Sequence, residues 1–368
     1  MSGNKVVHDV VCGIIPRSGS MTGLPITYNC PLSPPAPGPN ADWKVNLMRF
    51  GITASQLAPF PSGPLKAGFR FRPSYLFSAS KARSHNSATT MATFNLPGFD
   101  QACPVHLTPD LQQDQLLSFP AFKTWTNTLR HSLALQTSNP SHEFHKAPYK
   151  LREIRIQSVD WFGSGEKKRL GFVKLQAQIT NDEGAYLPGA VFMRGGSLAM
   201  LLILQPEDVP EGNDKEKHVL LTVQPRVAAG ALSFSEVAAG MLDDSGTFAG
   251  GAAKEIEEET GLQVKADELL DMTALAMEGE QNEQQLQKGV YSTAGGCDEF
   301  VPIFLYQKRI SRKELQDFQG KLTGLRNEGE KITLKVVKLD DLWREGVRDS
   351  KTLSALALYQ NLKRVRKL

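Results

Sequence analysis

Three glutamates have the residue type and spacing to do chemistry. They lie in Gly240-Met-Leu-Asp-Asp-Ser-Gly-Thr-Phe-Ala-Gly-Gly-Ala-Ala-Lys-Glu-Ile-Glu-Glu-Glu-Thr-Gly-Leu262. A helix over 247–260 puts Glu255, Glu258 and Glu259 at i, i+3 and i+4 on one face, with Glu257 pointing elsewhere. Gly261 suits the left-handed position that ends such a helix. Left alone, the cluster is unfavourable. Like charges at these spacings cost roughly 0.2–0.5 kcal/mol per pair. The acids also sit at the carbonyl end of the helix dipole. Gly250 and Gly251 weaken the helix by about 1 kcal/mol each relative to alanine. A hard divalent cation reverses the first two effects, because magnesium is held by carboxylates and bridges to substrate phosphates. A merely solvated acidic face has the same spacing, so spacing alone leaves both readings open. A second stripe, Ala249, Ala252, Ala253 and Ile256, would let this helix approach a sheet closely.

The elements that must position the helix follow from periodicity. Residues 151–161 nearly alternate, with one slip of phase that predicts a strand with a bulge. Further strands are expected at 171–179, 189–193, 201–204, 219–223, 301–306 and 332–337. Helices are expected at 109–118 and 120–130, each with proline in its first turn, and at 311–318 and 349–367. On the last, Leu353, Leu356 and Ala357 share a face. Strands followed by a strand–helix–strand mixture indicate an α+β or α/β sandwich. Polar segments at 211–217 and 278–288 read as solvated loops. The second lies just ahead of a glycine-rich segment, a position from which a loop can gate a substrate.

Composition sets the bounds. The chain has 368 residues, 40% hydrophobic and 22% charged, enough for one large domain or two smaller ones. The longest apolar run, Leu198-Ala-Met-Leu-Leu-Ile-Leu204, is strand length and excludes a membrane-spanning helix. Four scattered cysteines with no C-x-x-C argue against a disulfide framework or a structural zinc site. The net charge of +3 hides an asymmetry: residues 1–90 carry nine Lys/Arg against two Asp, while the remainder carries 33 basic and 37 acidic residues. A mildly acidic body does not indicate nucleic-acid binding. Eleven of the 22 prolines fall in residues 1–90, so this stretch reads as a disordered Pro/Ser/Arg-rich extension. Its Arg, Ser and Ala content over 66–90 also suits an organelle-targeting segment. A start at Met91 is the third reading. The expected organisation is an extension over 1–90, a helical and strand-rich subdomain over 91–205, and a domain that carries the acidic segment over 206–368.

Taken with its flanks, the acidic segment resembles the Nudix box. Gly240, Glu255, Ile256, Glu258, Glu259, Gly261 and Leu262 match in register. Two positions depart: Gly246 stands where the first Glu is expected, and Lys254 where Arg is expected. Gln224-Pro-Arg226, Glu236-Val-Ala-Ala-Gly240, Gly295-Gly-Cys-Asp-Glu299 and the segment 324–330 look like nucleoside-diphosphate-sugar hydrolases, closest to the eukaryotic ADP-sugar diphosphatase and ADP-ribose pyrophosphatase group. The resemblance implies an α+β fold, a Nudix-type α/β/α sandwich with a mixed sheet. It implies Mg²⁺-dependent hydrolysis of the diphosphate, with Mn²⁺ as a substitute ion. It implies Glu255 and Glu259 as principal metal ligands with Glu258 supporting, and the Ala239 carbonyl as a further ligand. Glu330 would complete the site or activate water, with Glu328 as the alternate base. Arg226, Met241 and Glu299 would contact substrate. Ala294 stands where ADP-ribose hydrolases often carry proline, so ADP-glucose and ADP-ribose are both expected substrates. ADP-glucose would imply a plastid, with a mitochondrion or the cytoplasm as the other destinations. A homodimer is implied as well, and neither a nucleic acid nor a membrane is an expected partner. The competing reading is a non-catalytic module, weakened at Gly246 and Lys254, that binds a nucleotide sugar or a protein.

Other constellations are weaker. His142-Glu-Phe-His145 has ligand-like spacing without a third ligand nearby and reads as loop. Gly163-Ser-Gly165 lacks the third glycine of a dinucleotide fingerprint and reads as a hairpin turn.

Overall fold

The apolar run singled out above lies within Ser197–Pro206, a strand buried at all ten positions. A strand buried on both faces reads as continuous apolar sequence rather than alternation, and this one is the centre of the fold. The computed structural model describes residues 92–99, 101–165, 168–242, 247–325 and 329–368. The expected extension over 1–90, together with Gly246 and Glu328, lies outside the described residues.

Two sheets are built from strands in chain order. The first contains β1 (Thr93–Asn95), β2 (Pro104–His106), β3 (Lys150–Phe162), β4 (Arg169–Thr180), β5 (Tyr186–Leu187) and β6 (Ala190–Met193). They pair in the order β1-β2-β3-β4-β5, with β6 also on β4. The phase slip expected in β3 is real: its register against β4 shifts at Leu151/Glu153, Ile156/Ser158 and Asp160/Trp161. The β3–β4 connection holds Gly163 at φ 74° and Gly165 at φ 57°, consistent with the expected hairpin turn.

The second sheet contains β7 (Ser197–Pro206), β8 (His218–Arg226), β9 (Ala231–Met241), β10 (Leu270–Asp271), β11 (Ile303–Ile310), β12 (Leu322–Thr323) and β13 (Ile332–Lys338). Its order is β10-β11-β7-β9-β8-β13-β12. The β7–β11 pair is parallel and the other pairs are antiparallel, so the sheet is mixed. The change of sheet falls between Met193 and Ser197.

Helices close both layers. They are α1 (Gln113–Ser118), α2 (Pro120–Ser138), α3 (Phe248–Thr260), α4 (Met272–Ala276), α5 (Arg312–Phe318), α6 (Leu342–Glu345) and α7 (Ser350–Arg364). On the first sheet, Leu116 and Phe122 from α1 and α2 pack against Ile154, Val173 and Leu175. On the second, alternate residues point to opposite faces. Leu201, Ile203, Leu221 and Val237 meet Ala355, Leu356 and Tyr359 of α7, while Leu198, Met200 and Leu202 meet Ala252 and Ile256 of α3. The second sheet is thus the middle layer of an α/β/α sandwich, and the chain is α+β. Among the described residues no helix is long and apolar enough to cross a membrane.

Two expectations need correction. The helix expected over 109–118 begins only at Gln113, because the chain first turns at Thr108, whose carbonyl accepts the Leu111 N–H at 3.2 Å. The strand β9 was not foreseen, because its period of two breaks at Val237-Ala-Ala-Gly240. It proves to be the strand that leads into the acidic segment.

Candidate active site

The box helix α3 forms as its sequence demands. Thr247 caps its N-terminus, its hydroxyl accepting the Gly250 N–H at 3.1 Å. Gly261 ends it at φ 77°. Ala252 and Ile256 are fully buried, and a Cβ on Gly251 would sit 3.1 Å from Leu198. The small-residue stripe therefore does what was expected and brings the helix close to the sheet. Burying Ile256 contributes about 1.5–3 kcal/mol.

Close approach sets two acids against β9. Glu259 is 5% exposed, and its Oε2 accepts the Ala239 N–H at 3.0 Å. Gln224 Nε2 on β8 donates to its Oε1 at 3.5 Å. The Glu255 carboxylate lies where a Cβ on Gly240 would be, so only glycine fits at Gly240. Glu258 is on the more open side, 29% exposed, with Lys254 Nζ at 3.9 Å. Burial pushes the Glu259 carboxyl up to about 8; Glu255 and Glu236 push the same way, while the Ala239 N–H and Arg226 oppose them.

The other expected residues are placed as follows. Arg226 donates from Nε to buried Glu236 at 2.6 Å. Glu236 also accepts from Lys351 at 3.0 Å, and Lys351 pairs with Asp349 at 2.9 Å. Glu299 accepts from the Ser197 hydroxyl at 2.7 Å and pairs with Arg194 at 3.3 Å. Its neighbour Asp298 accepts the N–H groups of Arg194 and Gly195 at 2.8 and 3.2 Å, yet burial leaves its carboxyl above the usual range. Glu330 is exposed, and its carboxylate accepts the Leu325 N–H at 3.1 Å within its own loop rather than joining the box acids. Among the described residues, no three of His, Cys, Asp and Glu gather as a metal-holding group. Of the expected ligands, Glu255 and Glu259 lie against the Ala239–Gly240 backbone.

A cavity of about 1230 Å³ reaches Met241, Lys254 and Glu255. Trp125, Trp161, Phe162, Tyr291 and Phe300 supply aromatic surface to it. Lys168, Arg169 and Arg194 add positive charge, with the Lys168 ammonium 4.7 Å above the Trp161 ring. Sequence reasoning missed these aromatic and basic side chains, which come from α2, the β3–β4 hairpin, the β6–β7 connection and the loop ahead of β11. No local signal in the sequence joins them. The loop over 278–288 is largely exposed, as expected, but Leu286 and Gln287 line the cavity. His131 on α2 holds this loop by donating to the Glu283 carbonyl at 2.7 Å. His142 and His145 are both engaged with backbone atoms, at Phe144 and Gln136.

An α/β/α sandwich in which a helix on one face sets paired glutamates against a strand backbone is the arrangement of a NUDIX domain. The family model of that description matches residues 210–356. Nudix hydrolase 14, chloroplastic, of Arabidopsis thaliana is 31% identical over 321 residues, a match covering 86% of this chain and 95% of that protein. The chain therefore belongs to the Nudix hydrolase family, whose members act on phosphorus anhydrides. The crystal structure of an ADP compounds hydrolase is similar at 15% identity and a TM-score of 0.35, covering 60% of this chain and 99% of that one.

Proposed function

We propose that this Nudix hydrolase cleaves the diphosphate of nucleoside-diphosphate sugars, ADP-glucose and ADP-ribose foremost, to AMP and a sugar phosphate. The observation that carries the reading is the Glu255–Glu259 pair packed on the Ala239–Gly240 backbone, with Glu255 facing a cavity that is both aromatic and basic. Aromatic faces suit a base, and cationic side chains suit a diphosphate.

The donor set fits Mg²⁺, or Mn²⁺ in its place. Buried Glu259 lies beside a second carboxylate, and its near partners are a backbone N–H and a side-chain amide. Two carboxylates with remaining positions left to substrate phosphates is the usual magnesium arrangement. Glu255, Glu259 and the Ala239 carbonyl would hold the ion, with Glu258 supporting. When bound, it neutralises phosphate charge and makes water nucleophilic near neutral pH. The chain's own residues do the rest. Arg226 and the cavity cations bind the diphosphate, Met241 packs against the substrate, and Glu299 takes a sugar hydroxyl. A base would accept the proton as water adds to phosphorus and the bridging P–O bond breaks; Glu330, with Glu328 as alternate, would fill this role only by leaving its bond to the Leu325 N–H. The name of the Arabidopsis relative supports a plastid destination, and a homodimer is the proposed assembly.

Incubation of the full chain with ADP-glucose and ADP-ribose, with Mg²⁺ or with EDTA, tests the reading by nucleotide chromatography. Magnesium-dependent AMP is expected, and its absence from folded protein would overturn the reading. Lys254 supports the alternative of a binding module. It stands where the resemblance expects arginine and lacks that residue's bidentate fork. A wild type that binds ADP-ribose without turnover would favour that alternative.

A further inference from the structure

Strand β9 changes partners directly ahead of the acid-facing residues. Up to Val237 it pairs with β8, and from Ala238 onward with β7. At this changeover the Val237 N–H is taken by the hydroxyl of Thr352 at 3.0 Å. Thr352 is fully buried in the first turn of α7, and its hydroxyl donates to Asp349 at 2.7 Å. Asp349 in turn caps the helix by accepting the Thr352 N–H at 3.1 Å. One residue earlier on the strand, buried Glu236 accepts from Lys351 at 3.0 Å. Two residues beyond Val237, Ala239 donates to Glu259, and Gly240 admits the Glu255 carboxylate.

We propose that Asp349, Lys351 and Thr352 are positioning residues for the divalent-cation site, fixing β9 where it passes from β8 to β7 and so setting the Ala239–Gly240 backbone against Glu255 and Glu259. The proposal rests on the reading of those two acids as cation ligands. A strand that leaves one neighbour for another has no continuous ladder along either edge to fix its position. Side chains from α7 supply that constraint on both sides of a single peptide. The threonine is well suited to it, because a β-branched side chain is stiff at χ1 and Asp349 orients its hydroxyl. All three residues lie far along the chain from the acidic segment and touch no reacting atom.

Thr352→Val keeps the shape and removes the hydroxyl, and Thr352→Ser restores it. Mn²⁺ binding to the full chain is measured by electron paramagnetic resonance, and steady-state kinetics are measured with ADP-ribose. Thr352→Val is expected to weaken Mn²⁺ binding at least tenfold and to lower kcat by a similar factor with little change in KM, and Thr352→Ser to recover most of both. If Thr352→Val does not fold, Lys351→Met, with Lys351→Arg as its rescue, carries the same expectation. A variant of either pair with a lowered melting temperature but wild-type Mn²⁺ affinity and kcat would overturn the proposal, leaving these residues structural only. A wild type that neither binds Mn²⁺ nor hydrolyses ADP-ribose would instead overturn the functional reading beneath it.

Discussion

The Ala239 N–H donates to Glu259 Oε2 across 3.0 Å, joining the strand that enters the acidic segment to the last acid of the helix that follows it. The bond orients a carboxylate that is buried and close to a second acid, Glu255. Glu259→Gln preserves the size of the side chain and removes its charge. Magnesium-dependent turnover is expected to fall about 10²-fold or more, the scale of losing one preorganised electrostatic group. Equal AMP formation by variant and wild type in a chromatographic assay would rule out the ligand assignment.

Gly240 is a packing requirement rather than a flexible joint. A Cβ there would occupy the space of the Glu255 carboxylate. Gly240→Ala is expected to displace Glu255 and reduce kcat about tenfold or more, since a small misplacement at a reacting centre is costly. A crystal structure of the variant with Glu255 unmoved, together with wild-type kcat, would contradict this.

Stability of the metal-free protein should depend on pH through Glu259. Its folded pKa of about 8 lies above the ordinary value of 4.5, so the folded state holds a proton that the unfolded state has lost between these values. The contribution is complete below the unfolded pKa and disappears as pH rises through about 8. In EDTA, the melting temperature should fall between these limits more steeply for wild type than for Glu259→Gln. Mg²⁺ should flatten the wild-type slope. Parallel pH profiles for the two proteins in EDTA would refute the assignment.

Arg226 presents one nitrogen to Glu236 at 2.6 Å while its side chain remains 39% exposed. Arg226→Lys retains the charge but loses the fork needed to hold a carboxylate and a phosphate together. KM for ADP-ribose is expected to rise about tenfold, equivalent to about 1.4 kcal/mol, with a smaller effect on kcat. An unchanged KM in steady-state assays would remove Arg226 from the substrate site.

Gly261 is expected to matter for stability rather than for chemistry. At φ 77°, any side chain is strained, and a Cβ would also approach Lys321 Nζ to 3.2 Å. Gly261→Ala should cost about 1–2 kcal/mol in urea denaturation. A wild-type midpoint would show that the helix end relaxes.

Much of the local structure was legible because it rests on neighbours in sequence. The helix over 247–260, its left-handed end at Gly261, the shared face of Glu255, Glu258 and Glu259, and the bulged strand before Trp161 all follow from spacing and backbone preference. The failures have equally local causes. The strand β9 mixes large apolar residues with small and polar ones, and its period of two breaks at Val237-Ala-Ala-Gly240. The helix start at Gln113 is set by a turn at Thr108 that proline alone does not reveal.

By itself, the sequence determined the helix over 247–260 and the face that Glu255, Glu258 and Glu259 share on it, because both depend on the 3.6-residue period. Tertiary structure alone decided their partners. It buried Glu259 against Ala239, turned Glu330 onto its own loop, paired Arg226 with Glu236, and brought Trp161, Lys168 and Arg194 around the cavity that reaches Glu255. The cavity joins residues distant in the chain, whereas the Glu330 and Arg226 contacts span only a loop and a hairpin. The Glu259–Ala239 bond forms because β9 and α3 pack closely, a constraint that no local run of residues expresses.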